Sequence, residues 1–219
     1  MVKHHPDTRL LNEHASGTLP LAQSACVSLH LNYCKQCRRD YQRLQQMGAA
    51  LFEDLAPQQV DDSVLRTVMA RVGEEQPPLT YTPPPKSETH DFPSLVQRLM
   101  KVDYDDLEWK RINSDLRIHR LRTGDVDNEF ALYHIKAGGK IPRHTHHGSE
   151  MTLVLEGGFS DADGTYHQGD FLLREPGDVH APTAVQSEDC ICLAVLDAPL
   201  KFTGWKYRWM NPFLQLNTG

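Results

Sequence analysis

Apolar residues recur at three- and four-residue steps through the first third of the chain. Leu19, Ala22, Cys26, Leu29 and Tyr33 form one such series, and Tyr41, Leu44, Leu51, Phe52 and Leu55 form another. Each traces one stripe of an amphipathic helix. A shorter helix is expected over residues 7–16. A further one follows Pro57, where Asp61 or Asp62 can cap a helix that carries Val64, Leu65, Val68, Met69 and Val72 on one face. After about residue 91 the period changes. Residues 116–121, 130–135, 151–155, 171–173 and 191–196 alternate or run apolar over strand lengths, and glycine-containing turns separate several of them. Many short strands at this spacing predict a closed or sandwiched antiparallel β-structure.

The change of period falls at a proline-rich stretch. Residues 73–88 read Gly-Glu-Glu-Gln-Pro-Pro-Leu-Thr-Tyr-Thr-Pro-Pro-Pro-Lys-Ser-Glu. Proline fixes φ and removes an amide donor, so this segment neither continues a helix nor enters a sheet. The expected fold is therefore α + β in two domains: a four-helix unit over 1–72, a linker over 73–91 and a β-domain over 92–219. A helical unit of about 72 residues buries a marginal core, so a metal staple or a partner is expected to complete it.

Charge narrows the functional classes. A net charge of −6 across 219 residues argues against a protein that grips nucleic acid directly, because that affinity comes from clustered Lys and Arg. Any part in transcription should run through a protein partner. The first ten residues hold histidines, a proline and charges where a secretory signal would hold an apolar run, and no window approaches a membrane span. A soluble, cytoplasmic protein is expected. In that compartment the Cys34-x-x-Cys37 pair signals metal or redox chemistry more often than a disulfide.

His30, Cys34 and Cys37 place three nitrogen and sulfur ligands within eight residues, at a helix junction. Zinc takes four such ligands in a tetrahedron, and thiolate with imidazole favours it over magnesium or calcium. The fourth is expected from His4 or His5, with His14 a weaker candidate. A thioredoxin-like role is disfavoured because no βαβ pattern surrounds the pair. The motif H-x3-C-x2-C with an upstream histidine resembles the zinc-binding anti-sigma domain. That resemblance covers about residues 1–72 and implies His5, His30, Cys34 and Cys37 as zinc ligands. It also implies an extracytoplasmic-function-type sigma factor as the partner, held by the helices. The stripe Val64, Leu65, Val68, Met69 and Val72 can lie in a partner's groove or close the bundle's own core, and the sequence weighs the two evenly.

A second constellation lies in the β-domain. Gly138 through Gly157 reads G-x5-H-x-H-x3-E-x6-G, with His144, His146 and Glu150 at the ligand positions, and Pro176-Gly-Asp-Val-His180 follows after a turn. Histidines at i and i+2 of a strand share one face, as convergent ligands must. Three imidazoles and a carboxylate make a transition-metal site. The spacing resembles the first cupin motif, and Gly169–His180 resembles the second, which implies His144, His146, Glu150 and His180 as ligands of zinc or another divalent metal. Glu175 stands where that motif often has proline, and no asparagine follows His180, which weakens the case for an enzyme. His147 should face away from the metal. Cys190 and Cys192 share one face of a late strand, where core filling outweighs a redox role.

Helical zinc domain, proline linker and cupin in this order resemble anti-sigma factors of the ChrR type over nearly the whole chain. The resemblance implies a protein that is not an enzyme: it sequesters a sigma factor and releases it on oxidative stress, singlet oxygen in particular. The rival reading is a cupin metalloenzyme, a dioxygenase or isomerase, with a small regulatory zinc domain.

Overall fold

The computed structural model describes residues 2–73 and 90–205. Most of the 73–91 linker and the last residues of the expected β-domain fall outside the described residues. Four helices come first: α1 (Thr8–Ala15), α2 (Leu21–Tyr33), α3 (Lys35–Glu53) and α4 (Asp62–Gly73). Their starts follow the chemistry of helix capping. The Asp7 carboxylate accepts from the Leu10 amide at 2.7 Å, and Asp61 accepts from the Ser63 amide at 2.7 Å. Helix α2 begins after Pro20, which has no side-chain acceptor; the carboxylate of Asp125, far along the chain, accepts from the Ala22 amide at 3.0 Å instead. The Cys34 sulfur caps α3 by accepting from the Cys37 amide.

A seven-residue helix, α5 (Ser94–Met100), precedes the strands and is not expected from the sequence, in which the strand-like pattern begins after about residue 91. The strands are β1 (Lys110–Arg111), β2 (Leu116–Arg120), β3 (Glu129–Ile135), β4 (His144–His146), β5 (Glu150–Glu156), β6 (Gly158–Ser160), β7 (Thr165–His167), β8 (Phe171–Arg174), β9 (Val179–His180), β10 (Thr183–Ala184), β11 (Cys190–Leu196) and β12 (Leu200–Phe202). They form an antiparallel six-stranded sheet in the order β1-β2-β3-β11-β5-β8 and two three-stranded sheets, β10-β6-β7 and β12-β4-β9.

The six-stranded sheet is buried on both faces at its centre, so every residue of β3 and β11 is buried; β11 is apolar throughout, whereas β3 also carries Glu129 and His134. Ala131, Tyr133, Val154, Cys192 and Ala194 point into the β-domain. The alternate residues Leu132, Leu153, Leu155, Ile191, Leu193 and Val195 form a continuous core with Leu10, Leu11, Ala22, Cys26, Val27 and Leu29 of α1 and α2. The first helices thus bury their stripes against the sheet, and the linker does not hold the two parts at a distance. Periodicity identifies a buried face and leaves its partner open, so the sequence could not show this shared core.

The far end of the helical unit is different. Leu51, Phe52 and Leu55 are exposed, as are all five stripe residues of α4, at 49–73% of full accessibility. The stripe therefore does not close a core among the described residues.

Candidate metal centres

Two groups of metal-ligating side chains converge, His5 with His30, Cys34 and Cys37, and His144 with His146, Glu150 and His180. In each, the ligand atoms lie within 4.8 Å of one another. The edge of a tetrahedron around zinc is about 3.3 to 3.8 Å for nitrogen and sulfur ligands. The first group has His5 Nδ1 at 3.4 and 3.5 Å from the sulfurs of Cys34 and Cys37, and His30 Nε2 at 3.3 Å from Cys37 Sγ. The second has Nε2 of His180 at 2.9 Å from that of His144 and 3.1 Å from that of His146, with Glu150 Oε2 at 3.2 Å from His146 Nε2.

Local structure explains the first convergence. His30 lies in the last turn of α2, one turn before Cys34, and Cys34 and Cys37 open α3, so the tight junction turns all three inward. His5 arrives on the extended segment before α1. Of the competing histidines, His4 packs its ring on Tyr166 and His14 bonds Ser24 through Nδ1 at 3.0 Å, so neither joins the group. His30 Nδ1 donates to the carbonyl of Gly169 at 2.9 Å, which leaves the Nε2 lone pair for a metal. Burial holds the His30 imidazole neutral, with a pKa lowered to about 4 even though the Gly169 bond opposes the shift. Burial and the neighbouring Cys34 push the Cys37 thiol up to about 12. A thiolate there requires a compensating cation, which a divalent metal supplies. The donor set fits zinc with all four positions filled by protein.

In the second group, β4 projects His144 and His146 to one side, Glu150 opens β5 and His180 ends β9. His144 Nδ1 donates to the Pro142 carbonyl at 2.8 Å, and His180 Nδ1 lies 3.4 Å from Asp161 Oδ2. Each contact frees the Nε2 lone pair. Glu150 Oε2 is buried and accepts no hydrogen bond, a costly state for a carboxylate unless a cation faces it. Burial would raise its pKa, but His146, His144 and His180 together hold it below the ordinary carboxylate range. Burial lowers His180 to about 4, against the opposing pull of Glu150. His146, lowered like His180 by burial, and His180 are therefore neutral and Glu150 is ionised at neutral pH, as a transition metal demands. His147 is exposed, as its place after His146 predicted.

Four further residues shape these centres without a role assigned to them from the sequence, where Gly169 marked only the start of the second cupin-like motif: Gly169 and Asp170 beside the first centre, Asp161 and Arg174 beside the second. Arg174 donates to Asp161 at 2.6 Å and to Asp163 at 2.7 Å. The Gly-Asp pair opening the second cupin-like motif was the available signal. Cys190 and Cys192 are buried with their sulfurs 3.4 Å apart and fill the interior of the β-domain. The Cys190 contact and burial raise the Cys192 thiol well above its usual range. A cavity of about 40 Å³ runs between Cys192, Glu150, His144 and His180.

Comparison with known proteins places this architecture. The chain is 31% identical to the anti-sigma-E factor ChrR of Cereibacter sphaeroides over 215 residues, 98% of this chain and 99% of that protein. It belongs to the ChrR family of anti-sigma factors. Residues 97–198 match the ChrR cupin-like domain family. Among solved structures, the crystal structure of Rhodobacter sphaeroides SigE in complex with the anti-sigma ChrR matches with a TM-score of 0.77 and 30% identity, covering 90% of this chain and 100% of that one. The ChrR family thus supplies both halves of the fold, helical and cupin. Among the described residues, no helix is long and apolar enough to cross a membrane.

Proposed function

We propose that this protein is a cytoplasmic anti-sigma factor that sequesters an extracytoplasmic-function-type sigma factor and releases it on oxidative stress such as singlet oxygen. The helical segment 1–72 holds the partner, residues 73–91 link, and the cupin domain 92–219 governs release. The observation that carries the reading is the exposed apolar stripe Val64, Leu65, Val68, Met69 and Val72 on α4. Five large apolar side chains on one face of a helix, with no core beneath them among the described residues, suit an amphipathic helix laid into a partner's groove. Whole-length similarity to a protein named for anti-sigma activity supports it, as does the match to a ChrR chain solved with its sigma factor.

The centre formed by His5, His30, Cys34 and Cys37 would hold a structural zinc that fastens the extended N-terminus to the α2–α3 junction. The centre formed by His144, His146, Glu150 and His180 would hold zinc or another divalent transition metal, which when bound supplies a charge to draw its four ligands together. Around it Asp161 and Pro142 orient two of the imidazoles. The metalloenzyme reading is not favoured, because a cavity of about 40 Å³ holds little more than a water, whereas substrate pockets run to about 300 Å³ or more.

The test is transcription in vitro from a promoter read by the sigma factor encoded beside this protein's gene. Added protein should silence that promoter in proportion to its ratio to sigma and leave a promoter read by the housekeeping sigma factor untouched. Transcription that continues at excess protein would exclude the reading.

A further inference from the structure

Strand β8 and the turn before it touch both centres. At one end, the Gly169 carbonyl accepts from His30 Nδ1. Asp170, 2% exposed, accepts from the Lys3 amide at 2.6 Å and the His4 amide at 3.1 Å through Oδ1, and from the His167 amide at 2.9 Å through Oδ2. The Phe171 amide donates to the His4 carbonyl at 3.0 Å, so the peptide groups just before the ligand His5 lie along the outer edge of β8. Fit is close: a Cβ on Gly169 would lie 2.7 Å from Tyr33 Cβ and 2.9 Å from Val2 Cγ2. At the other end, four residues on from Asp170 and about 13 Å away at 3.3 Å per residue, Arg174 stands opposite the ligand Glu150 in the β5–β8 pairing. Its guanidinium holds Asp161, which in turn faces Nδ1 of the ligand His180. Strand β5 runs alongside. Its Val154 amide donates to the Asp170 carbonyl at 3.1 Å, and its Val154 carbonyl accepts from the Gly169 amide at 2.9 Å.

We propose that the β5–β8 ribbon links the two metal centres, so that metal held at the cupin centre tightens metal held at the Cys34–Cys37 centre, and the reverse. This inference rests on the reading above that both groups bind metal. A ligand shifts an equilibrium only if it binds one state better than another. Here the distinguishing state is the placement of the ribbon. A metal on Glu150 and His180 fixes β5 and, through Asp161 and Arg174, the end of β8. Losing it leaves a buried carboxylate that relaxes by moving β5, and Val154 carries that movement to Gly169 and Asp170, the groups that orient His30 and fasten His4 beside His5. Linkage makes the effect reciprocal. The route is a hydrogen-bonded strand pair with a defined contact at each end, not proximity alone. Asp170 and Arg174 are accordingly positioning residues, acting through the ligands they hold.

Cobalt(II) titration of the full chain tests this. The thiolate-to-cobalt charge-transfer band reports only the Cys34–Cys37 centre, and elemental analysis gives the number of metals bound. Arg174→Met and Glu150→Gln perturb the far centre. Lys3→Pro, which removes one donor to Asp170, perturbs the near one. The expected result is two equivalents in the unsubstituted chain. All three variants should show a loss of about tenfold or more in cobalt affinity at the thiolate centre, the range found when partners of metal ligands are removed. The helical circular dichroism should be unchanged at saturating cobalt. Should Arg174→Met not fold, Glu150→Gln decides. Two equivalents bound, with thiolate-centre affinity in Glu150→Gln within twofold of the parent, would overturn the linkage alone. Fewer than two equivalents in the unsubstituted chain would overturn the metal reading and the linkage with it.

Discussion

Leu65 and Met69 sit one turn apart on α4, 64% and 60% exposed, and their replacement by alanine separates a partner surface from a core. Removing both side chains should leave the free protein's stability within about 0.5 kcal/mol, since exposed positions outside special features rarely do more. Alanine also favours the helix. Binding should respond differently. Full burial of a Leu or Met side chain is worth about 1.5 to 3 kcal/mol, and the exposed share of each, close to two thirds, leaves about 1 to 2 kcal/mol for the partner to bury. Together the two substitutions should cost about 2 to 4 kcal/mol, or roughly 30- to 1,000-fold in Kd, at 1.4 kcal/mol per tenfold. Titration calorimetry against the sigma factor measures the affinity, and urea unfolding of the free protein measures the stability. An unchanged Kd would refute the argument. So would a fall of several kcal/mol in stability, which would mean that the stripe supports the protein's own core.

Three other outcomes follow from the same geometry. Cys34→Ser should abolish zinc binding at the first centre and, because structural zinc contributes on the order of 10 kcal/mol in small domains, should melt helical signal and abolish sigma binding; a helical, inhibitory variant would contradict this. Leu29→Ala, at the shared core of α2 and the sheet, should cost about 2 to 5 kcal/mol and lower one common unfolding transition seen by both helical and β-domain probes, whereas two separate transitions with only one shifted would argue against a shared core. The two centres should also differ in pH dependence. The Cys37 thiol, pushed up to about 12, must lose a proton to bind metal, so affinity there should rise at least tenfold per pH unit from 6.5 to 9; the cupin centre, with His180 near 4 and Glu150 and His146 lowered by their surroundings, should stay nearly flat over that range. Competition with a chromophoric chelator at each pH reads both slopes, and equal slopes would be contrary to this assignment.

Much of this was legible in the sequence, for reasons that differ by element. Capping residues and three- to four-residue periodicity located α1 to α4, and the strands around His119, Tyr133, Leu153, Leu172 and Leu193 followed from runs long enough to cross a sheet. The ligand groups were legible because metal chemistry constrains residue type and spacing together. His5 over His4 came only from the resemblance; in the structure, the Asp170 carboxylate binds the peptide before His5 and leaves the His4 ring to Tyr166. Asp125 capping α2, Gly169 orienting His30 and the core shared by Leu29 with the sheet join residues more than a hundred positions apart. No local pattern encodes such pairings. Helix α5 was missed because seven residues beside a proline-rich stretch give too few turns to establish a period.

The central claim is that the helical segment holds a sigma factor away from RNA polymerase. Its most direct test is the molar mass, by size-exclusion chromatography with light scattering, of the zinc-loaded full chain mixed with the sigma factor encoded beside its gene and with core polymerase. The account predicts a complex of one copy of this chain with one sigma factor, and core polymerase eluting without sigma. Sigma factor eluting with core polymerase while this chain runs alone would contradict it.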